Sequence, residues 1–123
     1  EAIRRRAVSH VVSLQDVRTV GGLAALLRQF DLFLCHDSGP MHIAAAVGTP
    51  VVALFGSQNA TIWRPLGERH TVLQTPLPCA CLGAAAPSPC TKGDGYRSHC
   101  VRKISEAEVY AAVANALAVG KPN

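Results

Sequence analysis

The sequence predicts an α/β domain in which helices cover a parallel β-sheet. Two short apolar runs, residues 31–35 (DLFLC) and 51–55 (VVALF), have the length and composition of buried strands. Between them, residues 39–47 combine helix-forming alanines with a proline in the first turn, and Gly48 and Pro50 end the helix. Because strands that alternate with helices are joined by crossovers, this order favours parallel pairing.

A short strand and an amphipathic helix are predicted before this unit. Residues 10–14 (HVVSL) have the apolar, β-branched character of a strand. The helix that follows carries apolar side chains at positions i, i+3, i+4 and i+7, namely Leu23, Leu26, Leu27 and Phe30. We therefore expect one face of this helix to pack on the sheet.

After the second buried run, the chain returns once to the sheet. Residues 56–61 (GSQNAT) form a polar loop that leads into a short helical turn at Ile62 and Trp63. This loop either completes the wall of a binding pocket or is an ordinary connection, since both have this composition. Residues 70–74 (HTVLQ) are β-branched and predict an edge strand.

The last element is a helix over residues 104–119 that closes the domain by packing back on the sheet. Ser105 followed by Glu108 is a capping-box pattern at its start. Its apolar face is formed by Val109, Val113 and Leu117.

Length and composition indicate one compact domain over residues 1–123. Hydrophobic residues make up 49% of the chain and charged residues 16%, which excludes a disordered protein. The net charge of +4 suits an anionic small molecule, whereas an aromatic content of 5% speaks against nucleic acid. No segment approaches the run of about 20 apolar residues of a membrane span, and no signal peptide is visible, so we expect a cytoplasmic protein.

A cysteine-rich loop interrupts this pattern. Residues 75–100 contain four of the eight prolines and four of the five cysteines, which predicts an irregular loop at 75–103. The cysteines of the loop are Cys79, Cys81, Cys90 and Cys100. They are compatible with a structural zinc site, with disulfides or with free thiols, and their spacing lacks the paired knuckles of ordinary zinc ribbons. Cys35, in contrast, has the position of a small apolar core residue.

The residues with the clearest chemistry follow the first buried run. Asp37 and His42 flank the start of the predicted helix 39–47, whose unpaired N–H groups and positive dipole end suit a phosphate. Ligands of parallel sheets bind at the carboxyl ends of the strands, which is where this turn lies. The alternative is that Asp37 only caps the helix and that His42 is a surface histidine of its first turn. A hydrolytic triad with Ser38 is disfavoured, because triad members normally come from distant segments.

The stretch from Asp37 to Gly56 resembles the signature of glycosyltransferase family 9, which contains the lipopolysaccharide heptosyltransferases. The resembling residues are DSGPMHIAAA at 37–46 and GTPVVALFG at 48–56. The leucine-rich helix before them and the cysteine-rich loop before the last helix also look like the carboxyl-terminal region of that family. The resemblance extends over residues 10–118.

This resemblance implies a GT-B glycosyltransferase with two Rossmann-like domains that face a cleft. Residues 1–123 would then be part of the carboxyl-terminal domain, which binds the nucleotide-sugar donor, typically ADP-heptose. The amino-terminal domain would bind a lipid-linked sugar acceptor and supply an aspartate as the base. The resemblance therefore implies no catalytic residue in this chain, no required cofactor and no metal at the reacting centre.

The resemblance also implies roles for residues of the first turn. Ser38 and Gly39 would donate backbone N–H groups to the diphosphate. His42 would lie near the phosphates, and Asp37 would hold hydroxyl groups of the sugar. The donor-binding set is Asp37, Ser38, Gly39, Pro40, Met41 and His42.

Because the chain begins at Glu1 rather than Met, we expect a fragment of a longer protein. The acceptor domain, a lysine near the diphosphate and an acidic residue near the ribose would lie outside it, so the fragment alone should not turn over. The whole protein would work in the cytoplasm, with peripheral association at the inner face of the inner membrane. The alternative is a stand-alone nucleotide- or phosphate-binding module with a structural zinc loop.

Overall fold

The computed structural model describes residues 9–14, 16–75 and 99–120, with only the backbone at His99. The elements formed by these residues, in chain order, are α1 (Val20–Leu27), β1 (Phe33–His36), α2 (Gly39–Ala46), β2 (Val51–Phe55), α3 (Ala60–Trp63), β3 (His70–Gln74), α4 (His99–Arg102) and α5 (Glu106–Val119).

The three strands form one parallel sheet in the order β1-β2-β3. Phe33 of β1 lies opposite Val51 of β2, which in turn lies opposite His70 of β3. Helix α2 connects β1 to β2, as a parallel pair requires. The predicted α/β class with a parallel sheet and flanking helices is confirmed.

The central strand β2 provides the core of the domain. Its alternate residues Val51, Ala53 and Phe55 are fully buried and lie on one face of the sheet. They pack against fully or almost fully buried side chains of α1 and α2, namely Leu27, Met41 and Ala44. Because Val52 on the opposite face is also buried, β2 is covered on both sides. The predicted strand at 51–55 is confirmed with its bounds.

The two edge strands differ from the central one. Strand β3 occupies residues 70–74 at the edge of the sheet, as predicted. Strand β1 begins at Phe33 rather than at Asp31 and is only half-buried, with Leu34 47% exposed. The strand predicted at 31–35 is confirmed with its bounds shifted to 33–36, but the expectation that it is buried is wrong. Among the described strands β1 has one neighbour, and its side chains alternate between partly covered and exposed.

The predicted strand at residues 10–14 is also wrong. This segment is extended but forms no strand, and Val12 and Leu14 are 61% and 57% exposed. A strand needs a neighbour for its N–H and C=O groups, and none of the described strands pairs with this segment. Its apolar composition alone therefore misled the prediction.

Helix α1 starts at Val20, three residues earlier than the apolar pattern indicates. The Thr19 hydroxyl caps it by accepting a hydrogen bond from the Gly22 N–H at 3.0 Å. The helix ends at Leu27, whose carbonyl accepts a 2.7 Å hydrogen bond from the buried Thr49 hydroxyl. Phe30 lies beyond the helix but still packs against the core.

Helix α5 confirms the predicted terminal helix and its capping box. The Ser105 hydroxyl accepts from the Glu108 N–H at 3.2 Å, and the Glu108 carboxylate accepts from the Ser105 N–H at 2.8 Å. The helix contacts β2 and β3. Its most buried residue is Ala112, whereas Leu117 is 50% exposed, so the predicted apolar face is wrong at Leu117.

Candidate functional site at the carboxyl edge of the sheet

The turn from Asp37 to His42 lies at the carboxyl end of β1, as predicted. The Asp37 N–H donates to the carbonyl of Leu54 at 3.2 Å and so extends the β1–β2 hydrogen-bond ladder by one residue. This bond fixes Asp37 at the sheet edge, beside the loop that leaves β2. Ligand sites of parallel α/β sheets lie at this edge.

The N-terminus of α2 differs from those of α1, α3 and α5, because no side chain caps it. The Ser38 hydroxyl donates to the carbonyl of His36 at 3.2 Å instead of accepting from the helix. The corresponding residues of the other three helices, Thr19, Asn59 and Ser105, each accept from a backbone N–H of their helix. The first turn of α2 is therefore open to an external acceptor.

Two backbone donors are available in this turn. Neither Ser38 nor Gly39 donates its N–H to another group within the part of the chain that the structure describes. Pro40 has no N–H, and the N–H of Met41 already donates to the Ser38 carbonyl at 3.1 Å. Ser38 and Gly39 are exposed, so an anion can reach both N–H groups.

A carboxylate and an imidazole flank these donors. Partial burial raises the pKa of Asp37, and the nearby His42 acts in the opposite direction. His42 lies on the exposed surface of α2, while Asp37 is half-buried. The turn thus combines N–H donors, one exposed imidazole and one carboxylate that is harder to ionise than an exposed aspartate.

The structure divides the predicted donor-binding set into exposed residues and a core residue. Met41 is fully buried among the core residues of α1 and β2, so its side chain does not line the sheet edge. Pro40 is partly exposed and gives α2 its proline in the first turn. The side chains left at the edge are those of Asp37, Ser38 and His42.

A further residue at this edge, Gln74, was not identified from the sequence. It ends β3, and its side-chain Nε2 donates to the carbonyls of Gly56 and Gln58 at 3.0 and 2.7 Å. The available signal was the alignment of carboxyl ends in a parallel sheet, which places the last residue of β3 beside the loop after β2. A polar last residue of a predicted edge strand was thus a candidate.

The cysteines fall partly outside the described residues. Cys79, Cys81 and Cys90 lie outside the described residues, so the predicted zinc site stays a prediction. Among the residues that the structure describes, no group of three His, Cys, Asp or Glu side chains is placed to hold a metal ion. Cys35 and Cys100 are free thiols. Burial, with a smaller effect of Asp37, raises the pKa of Cys35 to about 11, so this thiol is not a ready nucleophile.

The residues of this edge belong to a long match with known proteins. Residues 7–90 match glycosyltransferase family 9 (heptosyltransferase). The chain belongs to this family. The family membership predicted from the Asp37–Gly56 stretch is therefore confirmed, and the family is one of glycosyltransferases.

Curated relatives share only a part of their length with this chain. It is 46% identical to lipopolysaccharide heptosyltransferase 3 of Escherichia coli over 55 residues, which are 45% of this chain and 16% of the relative. It is 51% identical to the lipopolysaccharide core heptosyltransferase OpsX of Haemophilus influenzae over 51 residues, which are 42% of this chain and 15% of the relative. The matched stretches thus span less than a fifth of these relatives. No solved structure matches the chain.

The described helices include none that is long and apolar enough to cross a membrane.

Proposed function

We propose that this chain is the donor-binding part of a heptosyltransferase that transfers heptose from a nucleotide-sugar to a lipopolysaccharide core acceptor. The observation that carries the proposal is the uncapped N-terminus of α2, where the N–H groups of Ser38 and Gly39 have no acceptor among the described residues and lie beside Asp37 and His42. Family membership and the relatives that are lipopolysaccharide heptosyltransferases support the choice of donor and acceptor.

The proposed site serves the bond that breaks in the reaction. When the bond between the sugar and the diphosphate breaks, negative charge grows on the leaving diphosphate. The N–H groups of Ser38 and Gly39, the positive end of the α2 dipole and a hydrogen bond from the imidazole of His42 stabilise that charge. Since these groups are fixed before the reaction, little reorganisation is needed, and we propose that they act without a metal at the reacting centre.

We assign Asp37 to the sugar rather than to the diphosphate. A carboxylate repels phosphate oxygens but accepts hydrogen bonds from sugar hydroxyls. Asp37 is fixed by its backbone bond to the Leu54 carbonyl, so its side chain stays at the edge of the pocket. Asp37 would then bind the sugar end of the donor, and His42 would bind its diphosphate end.

The remaining parts of the reaction are proposed to lie in the rest of the protein. These are the catalytic base, the binding site of the lipid-linked acceptor and the groups that hold the ribose and adenine. A donor made in the cytoplasm and an acceptor anchored in lipid would meet at the inner face of the inner membrane. Residues 1–123 alone should therefore bind the donor weakly and transfer nothing.

The test is a calorimetric titration of the chain with ADP and with ADP-heptose. We expect His42→Ala to lower the affinity for both ligands, because it removes an imidazole that can donate a hydrogen bond to the phosphates. Asp37→Ala should lower the affinity for ADP-heptose, because it removes a carboxylate that binds the sugar. The affinity for ADP, which has no such sugar, should stay unchanged or rise, because the same carboxylate repels phosphate oxygens.

The matched control is Asp31→Ala. Asp31 is an exposed aspartate just before β1, at the opposite edge of the sheet, and its removal should change neither affinity. No heat with either ligand at millimolar concentration would contradict the proposal. So would binding that is unchanged in both site variants.

A further inference from the structure

The loop after β2 is held in place by a side chain from the neighbouring strand. The carboxamide of Gln74 donates to two carbonyls of the loop, those of Gly56 at 3.0 Å and Gln58 at 2.7 Å. A single amide nitrogen has two hydrogens, and both are used here. The loop residues 56–59 therefore have a fixed position relative to the carboxyl end of β3.

A second contact holds the same loop from α4. A Cβ atom added at Gly56 would lie 2.9 Å from Cγ2 of Val101 and 3.3 Å from Sγ of Cys100. The first distance is shorter than a real Cβ contact, so only glycine allows α4 to pack this closely. The buried Cys100 thus belongs to a contact that closes the loop on the side of α4.

The fixed loop lies next to the proposed diphosphate site. The β1–β2 register places His36 opposite Leu54, and the Asp37 N–H donates to the Leu54 carbonyl. The loop therefore leaves β2 beside the turn that begins α2. Within the described residues, the backbone N–H groups of Gly56, Ser57 and Gln58 have no acceptor, while two of the loop carbonyls are used by Gln74.

We propose that Gln74 is a positioning residue of the donor site, and that the loop 56–59 is the second wall of the pocket for the nucleoside diphosphate. This inference rests on the function proposed for Asp37 to His42. Because Gln74 occupies two of the loop carbonyls, the loop donors that have no acceptor among the described residues include the N–H groups of Gly56, Ser57 and Gln58 and the Ser57 hydroxyl. We place these donors on the β2 side of an anion bound at the N-terminus of α2, because the loop leaves β2 beside Asp37. A loop fixed in advance binds without an ordering cost.

The first experiment measures the affinity of Gln74→Met for ADP by calorimetry. Methionine has nearly the length of glutamine but donates no hydrogen bond, so the loop loses its fixed position. We expect the dissociation constant for ADP to rise about tenfold.

The control is Thr49→Val, which removes the buried hydrogen bond to the Leu27 carbonyl before the amino end of β2. It should lower the melting temperature at least as much as Gln74→Met while leaving ADP affinity within about twofold, because distant sites act independently. If both variants weakened ADP binding equally, Gln74 would be only structural and the inference would fail.

A second pair of variants tests the loop from the side of α4. Gly56→Ala places a Cβ against Val101, so it should displace the loop and lower the affinity for ADP. Adding Val101→Ala removes the tighter of the two clashes and should restore most of the affinity. Rescue of this kind would not follow from a general loss of stability, because the double variant also loses the packing of the Val101 side chain. An ADP affinity that Gly56→Ala leaves unchanged would contradict a role for the loop.

The two proposals fail in different ways. If His42→Ala lowers the affinity for ADP but Gln74→Met and Gly56→Ala do not, the donor site is supported. The proposal that loop 56–59 forms the second wall is then contradicted. If none of these variants changes ADP binding, the donor site itself is contradicted.

Discussion

The hydroxyl of Ser38 determines the character of the α2 N-terminus. Serine is a good N-cap, yet here it donates to the His36 carbonyl and leaves the first turn of the helix uncapped. A helix without an N-cap hydrogen bond is less stable, and an anionic ligand can accept the hydrogen bonds that the cap would have accepted. The arrangement is therefore suited to binding rather than to helix stability.

The substitution Ser38→Asp should separate these two effects. Aspartate is an equally good N-cap and adds a negative charge at the positive end of the dipole, so the variant should be more stable. The same charge competes with the diphosphate, so ADP affinity should fall at least tenfold. Thermal melting and calorimetry measure the two quantities. Ser38→Ala, which adds no charge, is the control, and an unchanged ADP affinity in Ser38→Asp would contradict an anion site.

His70 should make the folding stability depend on pH. Burial lowers its pKa, the charges of Arg69 and Arg64 lower it further, and the backbone of Leu66 acts in the opposite direction. Its Nδ1 is buried without a partner of good hydrogen-bond geometry among the described residues. Because the folded pKa lies below the unfolded value, the contribution of His70 is complete above that value and is lost as the pH falls through the folded pKa.

The measurement is urea unfolding of the wild type and of His70→Gln at several values between about pH 7 and pH 5. The wild type should lose stability towards low pH, and His70→Gln should lose less. The exposed His10 provides the control variant His10→Gln, which should follow the wild type. Equal slopes in all three proteins would contradict this account of His70.

At the scale of the elements, local signals predicted the chain well where they coincide with burial. Residues 51–55 and 70–74 are strands with the predicted bounds, and the capping box of Ser105 and Glu108 starts α5 as expected. Composition failed where a partner decides the structure. Residues 10–14 have the composition of a strand but no neighbouring strand among the described residues.

The site shows the same division. The turn at Asp37 and the start of its helix could be predicted, because prolines and strand ends are local features. The burial of Met41 and the reach of Gln74 could not, because they depend on how α2 and β3 pack against the rest. Met41 lies on the side of α2 that faces the core, so its side chain does not line the sheet edge.

The capping box of α5 gives a prediction at this scale. Ser105→Ala removes a side chain that caps the helix and should lower the free energy of unfolding by about 1 kcal/mol. Because α5 contacts both β2 and β3, the loss should appear in the unfolding of the whole domain. Urea unfolding measures it, with the exposed Ser13→Ala as a control that should change little. A Ser105→Ala variant as stable as the wild type would show that the capping box is not needed.

At the scale of the whole molecule, separate segments bring polar groups to one edge of the sheet. The turn after β1 supplies Asp37 and His42, the loop after β2 supplies backbone donors, and the end of β3 supplies Gln74. The opposite edge carries the contact of Thr49 with α1, which serves stability. This separation of binding from stability across a parallel sheet is typical of α/β domains. The donor would bind at the carboxyl edge of the sheet, and in the proposed enzyme the rest of the protein would cover it there.

The most direct test of the central claim is an NMR titration of the ¹⁵N-labelled chain with ADP. The chain contains its own comparison, since the N-terminus of α5 is capped by Ser105 and Glu108 and that of α2 is open. We predict that the amide resonances of Ser38 and Gly39 shift most, and that those at the start of α5 stay in place. Shifts of equal size at both helix starts, or no shift at Ser38 and Gly39 in millimolar ADP, would contradict the claim that α2 binds the diphosphate.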